Sequence, residues 1–161
     1  FVKDRSVELF TKHHIFTKEE IFSRYEILLE NYAKTICIEA RTMTEMLTKD
    51  FLPALSAYSG ESADNASAKK ALLPSLSTAA EERLVTELTE AYAAITDGLE
   101  ELKDLTAKAA QAGDMKQAAD ICREELLVKM DALRGTADRA EALIPDCELP
   151  YPTYDRLLFS L

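Results

Sequence analysis

FTKEEIFSRYEILLENYAKTICIEARTMTEML, from Phe16 to Leu47, contains neither Gly nor Pro and opens on a helix-start signature. The Thr17 hydroxyl is placed to cap a free backbone N–H while Glu20, three residues on, reaches back in a capping box, with Phe16 and Ile21 flanking it as a hydrophobic staple. At 100° per residue, Ile21, Phe22, Tyr25, Leu28, Leu29, Tyr32, Ala33, Ile36, Ala40, Met43, Met46 and Leu47 fall within an arc of ~140°. The stretch predicts one long helix with a broad core stripe. Ile27 and Ile38 project nearly opposite that stripe, beside the uncharged Asn31 and Thr35. A solvated face usually carries more Lys and Glu, so these four residues mark a candidate second contact surface.

Outward from this helix, residues 1–15 read as a leading segment with a short helix near Ser6–Phe10 that ends about His13–His14. Pro53 is expected to kink or end the long helix near Asp50–Leu52. The Ser- and Ala-rich run at 56–70 reads as a loop or frayed segment, with a short helical piece before Pro74. A second long helix starts at Thr78, with Glu81 as its capping-box partner. Val85, Leu88, Tyr92, Ile95, Leu99, Leu102, Thr106 and Ala109 then form a heptad seam. Gly98 inside it costs up to ~1 kcal/mol of helix propensity against Ala.

Ala112-Gly113-Asp114 reads as a tight reversal, with Asp114 the next N-cap and Gln117 its partner. The third long helix carries Ala119, Cys122, Leu126, Met130, Leu133, Ala137, Ala140 and Ile144. Two consecutive spacings of four around Leu126 make a stutter that locally unwinds supercoiling. Pro145 ends this helix. The tail after it holds Pro150, Pro152 and an apolar group that includes Tyr151, Tyr154 and Phe159, three further candidate contact residues. Such a tail is expected to dock, on the bundle or on a partner. The predicted fold is therefore all-α: an antiparallel bundle of three long helices with a short N-terminal helix and a Pro-rich docking tail, residues 1–161 forming one helical domain.

Composition narrows the function classes. The 161 residues are 47% hydrophobic and 30% charged, with four Gly and five Pro, which suits one helical globular domain. A formal net charge of −10, with the cationic residues scattered among acids, argues against a nucleic-acid partner, because phosphate binding needs a basic stripe. No apolar run is long enough for a membrane span, and no signal-peptide pattern opens the chain, so a cytoplasmic location is expected. Beginning at Phe1, the sequence reads as a piece of something longer.

Residues with catalytic potential are few. Cys37, Cys122 and Cys147 lack any metal-ligand spacing and read as reduced, structural thiols. His13 and His14 precede the long helices and have no Glu-x-x-His partner, so neither suits a bundle metal site. Four scattered glycines build no phosphate loop. Glu39 falls inside the core arc and is expected to meet an Arg, a Lys or a Tyr hydroxyl. Tyr25 and Tyr32 read as core residues. No catalytic, cofactor-binding or metal-binding residue is assigned.

Two blocks go beyond generic helix. SRYEILLENYAKTICIEARTM (Ser23–Met43) and LPYPTYDRLLFSL (Leu149–Leu161) resemble the C-terminal region of type III glutamine synthetases, and KHHIFTKEE (Lys12–Glu20) is similar to the segment preceding it in that family. From about Gly60 to Ala142 the resemblance extends only to helical character and length. Two departures are visible: His14 stands where the family usually has Gly, and this chain has no Trp. The resemblance implies a longer parent chain, an ATP- and Mg²⁺-dependent glutamate–ammonia ligase assembled as stacked rings in bacterial cytoplasm. The family's catalytic motifs lie upstream, so none is carried over. What it implies here is a structural, oligomer-contact module, whose partners are the catalytic part of the same chain and neighbouring subunits. The competing reading from the heptads is a free-standing helical-hairpin adaptor that recruits a partner helix.

Overall fold

The computed structural model describes residues 1–152 and 154–159, with side chains in the last helix described from Arg156 to Phe159. It is all-helical: α1 (Asp4–Lys12), α2 (Lys18–Met46), α3 (Leu52–Leu72), α4 (Ala79–Ala110), α5 (Met115–Ile121), α6 (Leu127–Glu141) and α7 (Tyr154–Phe159). By its backbone contacts the chain divides into two compact units, Phe1–Arg41 with Lys103–Val128 and Thr42–Leu102 with Lys129–Leu161.

In the first unit, α1 has no buried residue and is held instead by a ring ladder. Phe10 lies 5.8 Å from both Phe1 and Phe16, and the Arg24 guanidinium sits 4.6 Å above the Phe16 ring. The helix ends in a Schellman motif: the Ile15 N–H donates to the Phe10 carbonyl and the His14 N–H to the Thr11 carbonyl. His14 therefore adopts a φ of 53°, the left-handed conformation that a glycine would accept more easily. The turn is closed by both hydrogen bonds, and the strain falls on the histidine.

Thr17 and Glu20 form the expected capping box, with the Glu20 N–H on Thr17 Oγ1 at 3.2 Å and the Thr17 N–H on Glu20 Oε2 at 2.8 Å. Asp114 caps α5 by accepting from the Gln117 N–H at 2.8 Å. Gln117 reaches one residue further back than the capping-box pattern, accepting from the Gly113 N–H. Ile21, Ala33, Ile36 and Ala40 of α2 are buried, as are Ala118, Ala119, Ile121, Cys122 and Leu126. The spacing stutter at Leu126 is a turn of π-helix, Cys122–Leu126, in which the Leu127 N–H bonds the Cys122 carbonyl.

The second unit corrects two expectations. Pro53, expected to kink or end the helix, does not end it. A π-helical turn, Leu47–Phe51, carries the chain past it, and Pro53 falls in the first turn of α3. The proline has no N–H to donate there, and the wider turn leaves room for its ring. Residues 56–70 are not a loop but the body of α3. Alanines at 57, 63, 66 and 68 supply helix propensity, while Phe51, Leu55 and Ser62 are buried and anchor the helix. Ion pairs Lys69–Glu81 and Lys70–Glu82 tie its last turn to the start of α4. The Thr78 hydroxyl donates to Glu82 rather than playing out the simple Thr78–Glu81 box.

Within the second unit α4 and α6 pair antiparallel, shown by Gly98 against Leu133 and Glu101 on Lys129 at 2.6 Å. In the first unit Lys108 of α4 pairs with Glu125 at 2.6 Å. Along the α4 seam Leu88, Ile95, Leu99, Leu102, Thr106 and Ala109 are buried, Val85 is half-buried and Tyr92 is exposed. α6 stops at Glu141, before Pro145, and two 3₁₀-type bonds to Ala140 and Glu141 close the turn.

A candidate interaction face

The α2 core is narrower than the sequence arc. Phe22, Leu28, Tyr32 and Met46 are exposed, and Tyr25, Leu29 and Met43 are half-buried. Glu39 is exposed as well, not buried beside a cation, because it lies at the edge of the arc and the contact is made on the side of Ala33, Ile36 and Ala40.

What remains open is a second face. Ile27 is 51% exposed, Leu28 60% and Ile38 61%, and Asn31, Tyr32 and Thr35 are exposed among them. At 100° per residue these six span an arc of ~140° on one side of the helix. The candidate residues Ile27, Asn31, Thr35 and Ile38 are thus brought together, and Leu28 and Tyr32, read from sequence as core, join them. Their i,i+4 spacing was the available signal. At the N-terminal end a shallow depression of about 470 Å³ is lined by Glu19, Glu20, Ser23, Arg24 and Ile27.

The tail candidates lie in the other unit. Tyr151 is half-buried and its hydroxyl donates to Glu141 Oε2 at 3.4 Å. Burial, and then the negative charge of Glu141, push the phenol up to about 12. Phe159 is 81% exposed. Tyr154 opens α7, and its side chain lies outside the described residues. A groove of about 520 Å³ that the sequence did not announce is lined in part by Glu87, Glu90, Ala91, Ala94, Arg139 and Ala140. Small residues at facing positions of α4 and α6 open it.

Chemistry-bearing groups are dispersed. Both histidines are exposed. Among the described residues no group of three or more His, Cys, Asp or Glu is placed to hold a metal ion, and no helix is long and apolar enough to cross a membrane. Cys37 and Cys122, 85 positions apart, come together with sulfurs 4.0 Å apart, and Cys122 Sγ lies 3.8 Å from the Ala33 carbonyl. Burial, and then the neighbouring Cys37, raise the Cys122 thiol to about 12, which keeps it protonated and unreactive.

Residues 1–70 match the glutamine synthetase C-terminal domain family. Over 161 residues the chain is 45% identical to a glutamine synthetase of Butyrivibrio fibrisolvens, covering 100% of this chain and 23% of the relative. It is 25% identical over 160 residues to a type-3 glutamine synthetase of Dictyostelium discoideum, covering 97% of this chain and 22% of that protein. The chain thus spans less than a quarter of the length of these relatives. The similarity runs through the middle of the chain too, where the sequence reading found only helical character. From its first block through its tail, this chain resembles the C-terminal region of type III glutamine synthetases.

Proposed function

We propose that this chain is the C-terminal helical part of a cytoplasmic, ATP- and Mg²⁺-dependent glutamate–ammonia ligase, where it serves assembly rather than chemistry. Its three long helices form an antiparallel bundle, and the α2 face meets the catalytic part of the same chain or a neighbouring subunit of a homo-oligomer. One observation carries this reading. α2 lies inside the 70 residues that match the family, yet it turns Ile27, Leu28 and Ile38 to solvent. Contiguous apolar exposure of this kind marks a contact surface.

The adaptor reading needs an open seam on α4. Leu88, Ile95, Leu99 and Leu102 are buried within the chain itself, so this seam is not the surface that meets a partner. The division of labour is tested by incubating the 161-residue chain with glutamate, ammonia and Mg·ATP beside the full-length protein. Phosphate release is expected from the full-length protein alone. Release by the isolated chain at a comparable rate would overturn the proposal.

A further inference from the structure

We infer that the groove between α4 and α6 receives the α7 helix of a second copy of this chain, an exchange of tails that clasps two subunits. The inference rests on the assembly role proposed above and names one of its contacts. The groove is lined by the apolar side chains of Ala91, Ala94, Ala140 and Leu143 and by two acids of α4, Glu87 and Glu90. Arg139, on the α6 side, is directed to the Thr136 hydroxyl at 3.1 Å.

α7 is the matching part. It offers Arg156 to the two acids and Leu158 and Phe159, 74% and 81% exposed, to the apolar lining. A ring such as Phe159 removes ~150–250 Å² from water when covered. Lengths agree: the α4 wall from Glu87 to Ala94 rises ~10 Å and six residues of α7 rise ~9 Å.

The occupant is a second copy because a chain's own α7 is badly placed to turn back. Tyr151, bonded to Glu141, roots the tail beside the groove's own wall. Only Pro152 and Thr153 follow before α7, a reach of at most ~7 Å, and the proline fixes its φ. In the structure the side chains of Leu158 and Phe159 stand in solvent rather than on Ala91 or Ala94. Mutual exchange about a two-fold axis satisfies both grooves at once.

The test uses the full-length protein with the exposed Cys147 replaced by Ser. Two versions, one carrying Ala91→Cys and the other Leu158→Cys, are co-expressed and oxidised with copper–phenanthroline. A disulfide-linked heterodimer is expected. In that pair Arg156→Glu should lower the cross-linking yield about fivefold (~1 kcal/mol, the upper range for an exposed ion pair), and Glu87→Arg with Glu90→Arg should restore it. If a single chain carrying both Ala91→Cys and Leu158→Cys closes only on itself, or no cross-link forms between the two versions while helicity by circular dichroism is unchanged, the exchange is overturned. In the second case an unchanged native mass leaves the broader assembly role standing, whereas loss of the oligomer in unmodified protein would remove that role itself.

Discussion

Gly98 faces Leu133 so closely that a Cβ on the glycine would come within 2.6 Å of Leu133 Cδ2 and 3.2 Å of its Cγ. Leu133 is buried and has little room to withdraw. From the sequence this glycine is a simple defect in a heptad seam. In the structure it is what lets α4 and α6 approach. Gly98→Ala gains ~1 kcal/mol of helix propensity but overpacks the contact by ~1–3 kcal/mol. Net destabilisation of about 1 kcal/mol is expected in urea unfolding. In a Leu133→Ala background the same substitution should stabilise, and a sign that does not reverse would show that the contact is not what matters.

Gly60 provides the contrast. It sits in the middle of α3, and a methyl added there would meet nothing within 4 Å. Gly60→Ala is therefore expected to stabilise by ~0.5–1 kcal/mol, read as a higher urea midpoint with an unchanged slope. A lower midpoint would mean that 56–70 is not the helix described.

His14 holds a positive φ inside a completed Schellman motif. The left-handed conformation costs a side-chain-bearing residue ~1–2 kcal/mol, part of which glycine gives back in unfolded-state entropy. His14→Gly should raise stability by ~0.5–1 kcal/mol, and His14→Val should lower it. Equal stability of the two variants would contradict the strained turn.

Alkaline pH should weaken the fold through one buried and one half-buried acid. Cys122 is raised from an ordinary 9.0, and Tyr151 from 10.0, each to about 12. In the unfolded chain both ionise earlier, so their contribution is complete below the unfolded values and is lost as pH climbs toward 12. Denaturation midpoints should fall from about pH 9 upward, and Cys122→Ala should remove the earlier part of that fall. At neutral pH the exposed Cys147 should react with a maleimide well before Cys122. Comparable labelling rates would contradict the buried thiol.

Much of this arrangement was legible in the residues. Thr17 with Glu20, and Asp114 with Gln117, announced their helix starts because capping is local chemistry. The stutter at Leu126 marked where the helix departs from its regular spacing, but read from sequence it meant unwound supercoiling, not the π-helical turn that absorbs it. Other features were not local. Pro53 reads as a stop only if the turn before it keeps its usual width. The run at 56–70 looks polar and loose until Leu55 and Ser62 are seen to be buried. The core arc of α2 was drawn from periodicity, which ranks faces but cannot say how wide a neighbour is. Leu28, Tyr32 and Glu39 went to the wrong side for that reason. The groove beside Ala91 and Ala140 depends on two helices meeting, and no single stretch encodes it.

The assembly role stands on the α2 face, and its most direct measurement is the native mass of the full-length protein carrying Ile27→Asp and Ile38→Asp, beside its thermal midpoint. Both positions are exposed, so the substitutions should leave helicity and midpoint nearly unchanged. They should release a smaller oligomer, because two carboxylates would have to be desolvated at the contact. A native mass and glutamine-forming rate identical to the unmodified protein, with the fold intact, would contradict the account.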